Sequence, residues 1–371
     1  MKRLCIYVIY DKQNIVSPYI EKVIQELFKF AQDIYVVCNF ENIADGQQYI
    51  EPYAKEIICR KNEGYDAGAY KEALCDYITW ENVKKYDELI ITNDSYFGPL
   101  YPFDNMFNIM QKEKCDFWGI TKHPAGYNNE LGTFAEHIQS YFMCFKNIII
   151  SDSKFKDYWE GYSCSDEKEK TIVNFELGLN KYLQGIGYKA QAYMDTRNLG
   201  LNIEDCNPYN KFALELIRDG KIPIIKKTNF DGRNRWLVNA IEAVQYIIEN
   251  CDYDASLITN YVEQYKKNGQ FGPYYDLEKM YEFVQNHSRI YIYGSGKWGH
   301  IVADYLCYRN LNFEGFVVTK SEAGEIEFKS LSINKNDGII IAQEFANVCN
   351  EILDYIKGSV DMDQVFLPIY P

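Results

Sequence analysis

The sequence predicts an α/β fold in which a mostly parallel sheet is flanked by helices, followed by a smaller α/β unit. Strand-like and helix-like segments alternate from the start, first in RLCIYVIY (3–10) and SPYIEKVIQELFKFA (17–31). Such alternation is typical of parallel strands connected by helices that cover the sheet. The same pattern restarts at residue 290 with IYIYGSGKWGHIVADYL, after a charged helical stretch. We therefore expect three segments, 1–234, 235–286 and 287–371.

The elements of the first segment follow from their periodicity. Apolar runs rich in β-branched and aromatic residues predict strands at 3–10, 33–40, 54–60, 88–93, 116–121 and 140–150. Apolar residues at helical spacing predict helices at 17–31, 70–83 and 171–188. Ser17 and Pro18 are a typical N-cap and first helical residue, and glycines lie near the end of the third helix.

The other two segments differ in pattern. Residues 235–286 contain two charged helical stretches, WLVNAIEAVQYIIEN and DASLITNYVEQYKK, which we interpret as a helical spacer. From 287 onward, a strand, a glycine turn and a helix precede strands at 313–319, 337–343 and 364–370. This last unit is about half as long as a dinucleotide-binding domain.

Composition and charge narrow the class of protein. The 371 residues are 47% apolar, enough for more than one folded unit. The formal net charge of −14 would repel nucleic-acid phosphates, so nucleic acid is not expected as a partner. The 11 cysteines form no C-x-x-C pair, as expected for reduced cysteines of a cytoplasmic protein. No apolar run approaches the ~20 residues of a membrane span, whereas peripheral membrane contact stays open.

Polar side chains follow four of the predicted strands. Asp11, Asn39, Asn62 and Asp94 each come just after the end of a strand. Ligands of parallel α/β sheets bind beyond the carboxyl ends of the strands. We therefore expect these four residues to line a common crevice.

The segment KNEGYDAGAYKEA (61–73) carries two glycines and several small residues directly before a predicted helix. Such a turn lets the backbone approach a ligand closely and directs helix N–H groups toward an anion. Asp66 lies within this segment. The alternative is an ordinary strand-to-helix turn in which Asp66 is the N-cap.

The strand at 88–93 ends on a single acid, in the sequence ELIITNDSYFGPL (88–100). NEGYDAGAY and NDSYFGPL together resemble the rhamnan-synthesis F family of polysaccharide glycosyltransferases, and so does the opening IYDKQNIVSPYIEKVIQELFKFAQDIYVVCN. The resemblance covers roughly residues 1–230. It implies a GT-A-like fold, that of the nucleotide-diphosphosugar transferases, for the first segment.

The resemblance also implies a role for Asp94. Related GT-A enzymes have an Asp-x-Asp motif at the end of a central strand, where a divalent cation, Mg²⁺ or Mn²⁺, neutralises the leaving diphosphate. This chain has Asn93-Asp94-Ser95, with one acid instead of two. The motif therefore predicts either a weaker metal site at Asp94 or a metal-independent site. In the second case, basic residues such as Lys226 and Lys227 would contact the diphosphate. A turn cap at Asp94 and a solvated lysine pair are the structural alternatives.

The same comparison assigns contacts to the nucleotide and the donor sugar. They fall on residues that follow strands or begin the glycine-rich turn: Asp11, Asn62, Asp66 and Asn93. For Asp11, a simple turn residue is the alternative.

Two further residues are candidates on the acceptor side. Glu176, in NFELGLNKYLQGIGY (174–188), matches the acid that is the catalytic base of many inverting GT-A enzymes. A base is needed because the acceptor hydroxyl must lose its proton as it attacks the anomeric carbon. His137 is a candidate for acceptor binding. The alternatives are a first-turn helix residue for Glu176 and a satisfied core histidine for His137.

A second glycine motif lies in the last segment. Gly294, Gly296 and Gly299 form G-x-G-x-x-G between a strand and a helix, the pattern of a phosphate-binding Rossmann turn. NAD binding also requires an acid at the end of the second strand, where this chain has Thr319 and Lys320. We therefore expect a small Rossmann-like unit with a structural or regulatory role, and nucleotide binding there is the alternative.

These features predict a cytoplasmic glycosyltransferase that can associate with the inner face of the cell membrane. The resemblance implies transfer of a sugar, with rhamnose as the first expectation, from a dTDP- or UDP-linked donor. The implied acceptor is a lipid-linked cell-surface polysaccharide of the rhamnan, capsule or O-antigen type. Two other functions stay open: a NAD-dependent sugar oxidoreductase built on the C-terminal glycines, and a non-catalytic scaffold that binds a sugar nucleotide.

Overall fold

The computed structural model describes residues 1–128, 131–201, 207–231, 234, 236–267, 275–321 and 324–370. The chain divides into two compact units. Unit 1 comprises Met1–Tyr209, Ala213–Lys227 and Ala243–Ile258, and unit 2 comprises Asn210–Phe212, Thr228–Glu242 and Thr259–Pro371. Residues of the predicted spacer, 235–286, thus occur in both units. Arg235, where that spacer begins, lies outside the described residues.

Unit 1 is built on a sheet in which most neighbouring strands run parallel. The strands of unit 1, of which β5 with β12 and β7 with β8 form two small separate sheets, are β1 (Arg3–Ile9), β2 (Asp33–Cys38), β3 (Glu56–Cys59), β4 (Glu88–Asn93), β5 (Tyr96–Phe97), β6 (Phe117–His123), β7 (Gly126–Asn128), β8 (Gly132–Phe134), β9 (His137–Ile138), β10 (Phe142–Lys146), β11 (Ala190–Met194) and β12 (Ile225–Lys226). Within the described residues, the main sheet has the order β11-β6-β10-β4-β1-β2-β3, with β9 paired to β6. Strands β9 and β10 run antiparallel to their neighbours, and the other pairs of this sheet are parallel. The predicted mostly parallel α/β sheet is confirmed.

Helices and two π-helical segments connect the strands. Those that begin before residue 260 are α1 (Pro18–Phe28), α2 (Tyr65–Glu72), α3 (Trp80–Val83), α4 (Asp104–Lys112), α5 (Asn147–Ile150), α6 (Ser153–Gly161), α7 (Lys168–Thr171), α8 (Gly178–Gly185), α9 (Pro208–Lys211), α10 (Ala213–Arg218), α11 (Leu237–Asn250) and α12 (Ser256–Lys267). The π-helical segments are Ala73–Ile78, after α2, and Ile172–Leu177, before α8. Such π turns are rare and are found frequently at functional sites.

The core of unit 1 lies on both faces of the central strands. Every residue of β1 is buried, as are the first five of β4, which explains why both strands have continuous apolar sequences. On one face, Leu89 and Met143 belong to an apolar cluster that includes residues of α2, α6 and α8. On the other face, the ring of Phe107 in α4 contacts Trp118 and Phe142 edge-on. The sheet is therefore a rigid base for the residues that follow its strands.

Unit 2 contains a five-stranded parallel sheet in the order β15-β14-β13-β16-β17. These strands are β13 (Arg289–Tyr293), β14 (Gly315–Val318), β15 (Ile326–Glu327), β16 (Asp337–Ile341) and β17 (Val365–Phe366), and the helices are α13 (Leu277–Gln285), α14 (Lys297–Tyr308) and α15 (Ala346–Ile356). Alternate residues of β13 face two apolar clusters, one with α13 and α14 and the other with α15. The second α/β unit that the repeated pattern predicted is confirmed.

Several element predictions differ from the structure. The strand predicted at 140–150 ends at Lys146, and Asn147–Ile150 is helical, which buries Ile149 and Ile150 and leaves Ile148 exposed. The helix predicted at 70–83 begins earlier, at Tyr65, becomes π-helical over Ala73–Ile78 and is interrupted at Thr79 before α3. Strand β11 was not predicted, because this edge strand pairs with β6 alone and its sequence AQAYM is not a continuous apolar run.

Candidate active site

The first part of the site is the end of β4. β4 pairs in parallel with β1, and the Asp94 N–H donates to the Val8 carbonyl at 3.0 Å. On the side of β10, the Asn93 N–H donates to the Tyr141 carbonyl at 3.3 Å. Backbone hydrogen bonds on both sides therefore hold Asn93 and Asp94 at the carboxyl end of the parallel strands.

The second part is the glycine-rich turn that precedes α2. Gly64 is the N-cap of α2 and has a φ of 72°. A Cβ added to Gly68 would lie 2.2 Å from the Glu63 carbonyl oxygen. Glycine is therefore favoured at the first position and required at the second. Arg60 fixes the turn, since its guanidinium donates to Asn39 Oδ1 at 2.6 Å and to the Glu63 carbonyl at 2.9 Å.

A hydrogen bond joins these two parts. Asn93 Nδ2 donates to Asp66 Oδ2 at 2.9 Å, and the Ala67 N–H donates to the other carboxyl oxygen at 2.9 Å. Burial raises the pKa of Asp66, although the hydrogen bond from Asn93 acts in the opposite direction. The turn thus presents a part-buried carboxyl group directly beside the end of β4.

The third part is Glu176, in the π-helical segment before α8. Its Oε2 accepts hydrogen bonds from the backbone N–H of Ser140 at 2.8 Å and from the Ser140 hydroxyl at 2.5 Å. Its Oε1 lies 3.3 Å from His137 Nε2. Burial raises the pKa of Glu176, but the hydrogen bonds and charge of His137 and Ser140 outweigh burial and lower the pKa to about 2. Glu176 is therefore an ionised carboxylate at neutral pH.

His137 lies behind Glu176 and is only 5% exposed. Its Nδ1 lies 2.9 Å from the Ala135 carbonyl oxygen, and its Nε2 faces Glu176. Each of the two ring nitrogens thus lies near an oxygen atom. The ring stacks on that of His123, with the centroids 5.3 Å apart. His137 therefore positions the Glu176 carboxylate.

The three parts line one cavity of about 250 Å³. The cavity brings together six residues that the sequence predicted: Asn39, Asn62, Asp66, Asn93, Asp94 and Glu176. Two of the polar atoms at its wall, Asn62 Oδ1 and Ser95 Oγ, are buried and form no hydrogen bond with any described residue. Because buried polar atoms are normally paired, these two atoms favour a polar ligand in the cavity.

Two consecutive lysines lie near this cavity. Strand β12 pairs antiparallel with β5, two residues after Asp94, and so brings Lys226 and Lys227 to the end of β4. Lys227 Nζ lies 2.9 Å from Asp94 Oδ2 and 3.0 Å from the Tyr19 hydroxyl. The negative charge of Asp94 is therefore already paired inside the protein.

Lys226 contacts a different part of the site. Its Nζ lies 4.4 Å from the centre of the Tyr141 ring. Burial lowers the pKa of Lys226, whereas the negative charges of Glu176 and Asp66 raise it. This ammonium group therefore lies in the field of the two cavity carboxylates.

The donor set around Asp94 does not fit a resident divalent cation. Asp94 Oδ2 faces the Lys227 ammonium, and Asp66 and Glu176 both accept hydrogen bonds from protein donors. In the part of the chain that the structure describes, no group of three or more His, Cys, Asp or Glu side chains could hold a metal ion. The need for Mg²⁺ or Mn²⁺ stays a prediction.

Comparison with protein families assigns this chain to one of them. The family described as RgpF, rhamnan synthesis protein F, matches residues 34–270, more than half of the chain. The chain belongs to this family. The matched range includes the turn before α2, the end of β4, Glu176 and both lysines. The resemblance stated from NEGYDAGAY and NDSYFGPL is thereby confirmed.

Curated relatives of this RgpF-family chain match it over a shorter range. An uncharacterized protein, y4gN, of Sinorhizobium fredii is 28% identical over 167 residues, which are 44% of this chain and 42% of that protein. The virulence protein VirA of Vibrio anguillarum is 31% identical over 140 residues, which are 37% of this chain and 41% of that protein. The chain thus spans about two fifths of the length of these relatives.

Some solved structures resemble this chain at low similarity. A cytidylyltransferase from Leptospira borgpetersenii is 14% identical, with 68% of this chain and 99% of that chain covered and a TM-score of 0.34. Core-mannan synthase A from Aspergillus fumigatus is 8% identical, with 50% and 72% covered and a TM-score of 0.27. TM-scores this low carry no argument, and the fold described above rests on the sheet topology.

Three predicted site residues of this RgpF-family chain are not among those that line the cavity. Asp11 accepts hydrogen bonds from the N–H groups of Gln13 at 2.7 Å and Ile15 at 3.3 Å, as a turn residue does. His137 contacts Glu176 from behind, and Lys226 lies against Tyr141. The Asp11 carboxylate is thus engaged within its own turn, and the other two residues lie beside the cavity. The donor contact of Asp11 stays a prediction.

The predicted glycine turn of the last segment lies in unit 2, between β13 and α14. Gly294 has a φ of 116°, and a Cβ on Gly299 would lie 2.0 Å from the Gly294 carbonyl oxygen. Two of the three glycines are thus explained by backbone geometry. Strand β14 is followed by Thr319, whose hydroxyl lies 2.9 Å from that of Tyr293.

Sequence reasoning missed Ser140, Tyr19 and Lys168. Ser140 contacts Glu176 from 36 residues away, and Tyr19 contacts Asp94 from 75 residues away, so neither has a local signal. Lys168 lines the cavity but lies in the charged run SDEKEK, which is typical of a solvated surface.

No helix of the described residues has the length and hydropathy needed to cross a membrane.

Proposed function

We propose that this chain is a glycosyltransferase that moves a sugar from a nucleotide-diphosphate donor to a hydroxyl group of a polysaccharide acceptor. The observation that carries the proposal is the common cavity of Asn62, Asp66, Asn93, Asp94 and Glu176. These residues come from distant parts of the chain and meet at the carboxyl end of a mostly parallel sheet, where such folds bind ligands. Membership of the rhamnan synthesis protein F family supports polysaccharide synthesis as the process.

Glu176 is the base of the proposed reaction. The acceptor oxygen attacks the anomeric carbon, the bond from that carbon to the diphosphate oxygen breaks, and the hydroxyl proton moves to a Glu176 oxygen. The contacts of Ser140 and His137 keep this carboxylate ionised and fixed before the reaction. A single displacement of this kind inverts the anomeric carbon.

The donor would bind along the turn before α2 and the end of β4. Asn62 Oδ1 can accept a hydrogen bond from a hydroxyl or N–H group of the sugar nucleotide. Ser95 Oγ can donate a hydrogen bond to one of its phosphate oxygens. Asp66 and Asn93, linked by their hydrogen bond, would then contact the sugar. These roles account for the two buried polar atoms without a partner among the described residues.

The family name supports rhamnose as the first sugar to test, with dTDP or UDP as the nucleotide. A lipid-linked polysaccharide at the inner face of the cell membrane is the proposed acceptor. The chain would then work in the cytoplasm and associate with the membrane peripherally. A scaffold that binds the same nucleotide sugar without catalysis is the competing function.

A panel of sugar nucleotides tests the proposal on the full chain. We expect one dTDP- or UDP-sugar to raise the melting temperature, since roughly 100 Kd of ligand stabilises a protein by about 2.7 kcal/mol. Hydrogen exchange should slow in three segments, 61–68, 92–95 and 172–177. If no sugar nucleotide has either effect, the proposal is wrong.

Turnover of the bound donor separates an enzyme from a scaffold. Glu176→Gln should retain donor binding and lose about 10²-fold or more of its nucleoside diphosphate release with acceptor. Glu169→Gln is the control, because Glu169 lies on the same stretch of chain but is exposed. Equal polysaccharide production by wild type and Glu176→Gln would favour the scaffold.

A further inference from the structure

The lysines beside the cavity raise the question of which group neutralises the leaving diphosphate. Asp94 takes the place where related enzymes hold a metal ion, but its Oδ2 is ion-paired to Lys227 at 2.9 Å. Both side chains are largely buried, at 13% and 16% exposure for Asp94 and Lys227. The Tyr19 hydroxyl contacts both of them and donates to the Asp94 carbonyl at 2.8 Å. A fixed ammonium group thus stands at the end of β4.

Lys226 is available for a ligand. No carboxylate of the described residues lies within 4.0 Å of its Nζ, which instead lies over the face of the Tyr141 ring. A part-buried ammonium group without an anionic partner is unfavourable, because burial removes its hydration. Glu176 and Asp66 act on it only at longer range. An anion bound in the cavity would provide the missing partner.

The charges of the cavity wall support the same conclusion. Asp66, Asp94 and Glu176 would repel a diphosphate, and a leaving nucleoside diphosphate gains negative charge as the anomeric bond breaks. Lys168 lines the same cavity, Lys226 lies beside it in the field of Asp66 and Glu176, and Lys227 is paired with Asp94. Lysine is suited to this place, because its ammonium group is a point charge that binds phosphate.

We propose that Lys226 and Lys227, and not a divalent cation, neutralise the diphosphate of the donor. The inference rests on the proposed function and adds the source of positive charge. When the anomeric carbon–oxygen bond breaks, its electron pair stays on the β-phosphate oxygen, and the two ammonium groups donate hydrogen bonds to that phosphate. No proton transfer to the leaving group is required.

Binding of UDP and dTDP by calorimetry, in EDTA and then in Mg²⁺ or Mn²⁺, tests the inference. We expect binding of one diphosphate in EDTA, with little change when metal is added. Lys226→Gln and Lys227→Gln should each weaken it about tenfold or more, and weaken the corresponding monophosphate less. Lys84→Gln is the control, since Lys84 pairs with Glu81 at 3.1 Å on the surface.

Lys227→Gln leaves the buried Asp94 without its cation and can destabilise the fold. The double variant Asp94→Asn/Lys227→Gln removes both charges and should fold while it retains the weakened diphosphate binding. Diphosphate binding that requires Mg²⁺ or Mn²⁺, or lysine variants that bind as wild type does, would overturn the inference and leave the proposed function standing. If no nucleotide and no sugar nucleotide binds in either buffer, the proposed function itself fails.

Discussion

At Glu176, burial and hydrogen bonding act on one carboxyl group in opposite directions. Burial favours the neutral acid, whereas Ser140 and His137 favour the carboxylate, and the second effect is larger. The folded state therefore binds a proton at Glu176 less readily than the unfolded chain does. By linkage, ionisation of this group stabilises the folded state.

The pH dependence of stability follows from this sign. Because the pKa of Glu176 falls from its ordinary 4.5 to about 2, its contribution is present above pH 4.5 and is lost as the pH falls through about 2. The shift corresponds to about 3 kcal/mol at neutral pH. Denaturant unfolding of wild type and Glu176→Gln between about pH 6 and pH 3 should give stabilities that converge as the pH falls.

The exposed Glu169 provides the control for this measurement. Glu169→Gln should keep the wild-type dependence on pH, because this side chain is exposed. Stability curves of wild type and Glu176→Gln that stay parallel over this range would contradict the low pKa.

At single residues, the sequence predicts position better than role. Asn93 and Asp94 were found because the end of a buried apolar strand is readable from its pattern. Asp11 follows a strand in the same way, yet its carboxylate accepts hydrogen bonds from its own turn. The sequence pattern is the same for an acid that lines the cavity and for an acid that stabilises its own turn, and only the fold distinguishes the two.

At the level of elements, the turn before α2 depends on a glycine that no side chain can replace. A Cβ on Gly68 would lie 2.2 Å from the Glu63 carbonyl oxygen, so Gly68→Ala must displace the turn. We expect a loss of about 1–3 kcal/mol in unfolding free energy and weaker binding of the donor nucleotide. Chemical denaturation and calorimetry measure the two effects.

Gly161→Ala is the matched control for that variant. Gly161 is also helical, at the end of α6, and no atom lies within 4 Å of an added Cβ. Its replacement should leave binding unchanged and the stability equal or slightly higher, since alanine favours helix over glycine. Equal stability and binding in both alanine variants would show that the turn tolerates a side chain at residue 68.

The helix at 171–188 shows what periodicity leaves out. Its apolar spacing predicted a regular helix, and the structure has a helix from Lys168 to Gly185 whose middle part, Ile172–Leu177, is π-helical. The wider turn carries Glu176, which reaches Ser140 and His137 on a different part of the chain. These long-range contacts have no counterpart in the local pattern, so the sequence predicted the acid and missed its partners.

For the whole molecule, the sequence predicted two α/β sheets because each repeats the alternation of buried strands and helices. It did not predict that residues of the helical stretch at 235–286 would belong to both compact units. Amphipathic helices show which face is buried but not the sheet against which it packs. Assignment of such helices to units therefore requires the fold.

The glycine turn of unit 2 allows a test of whether the chain is a NAD-dependent sugar oxidoreductase. Gly299 lies against the Gly294 carbonyl, whereas a Cβ on Gly296 would meet no atom within 4 Å. Gly299→Ala should therefore speed hydrogen exchange in β13 and α14, and Gly296→Ala should not. Sugar-nucleotide binding in unit 1 should persist in both variants.

NAD(H) should not raise the melting temperature of the chain, because Thr319 follows β14 at the position where a NAD site has an acid. A NAD(H)-dependent shift that Gly296→Ala abolishes would instead assign a dinucleotide site to this turn.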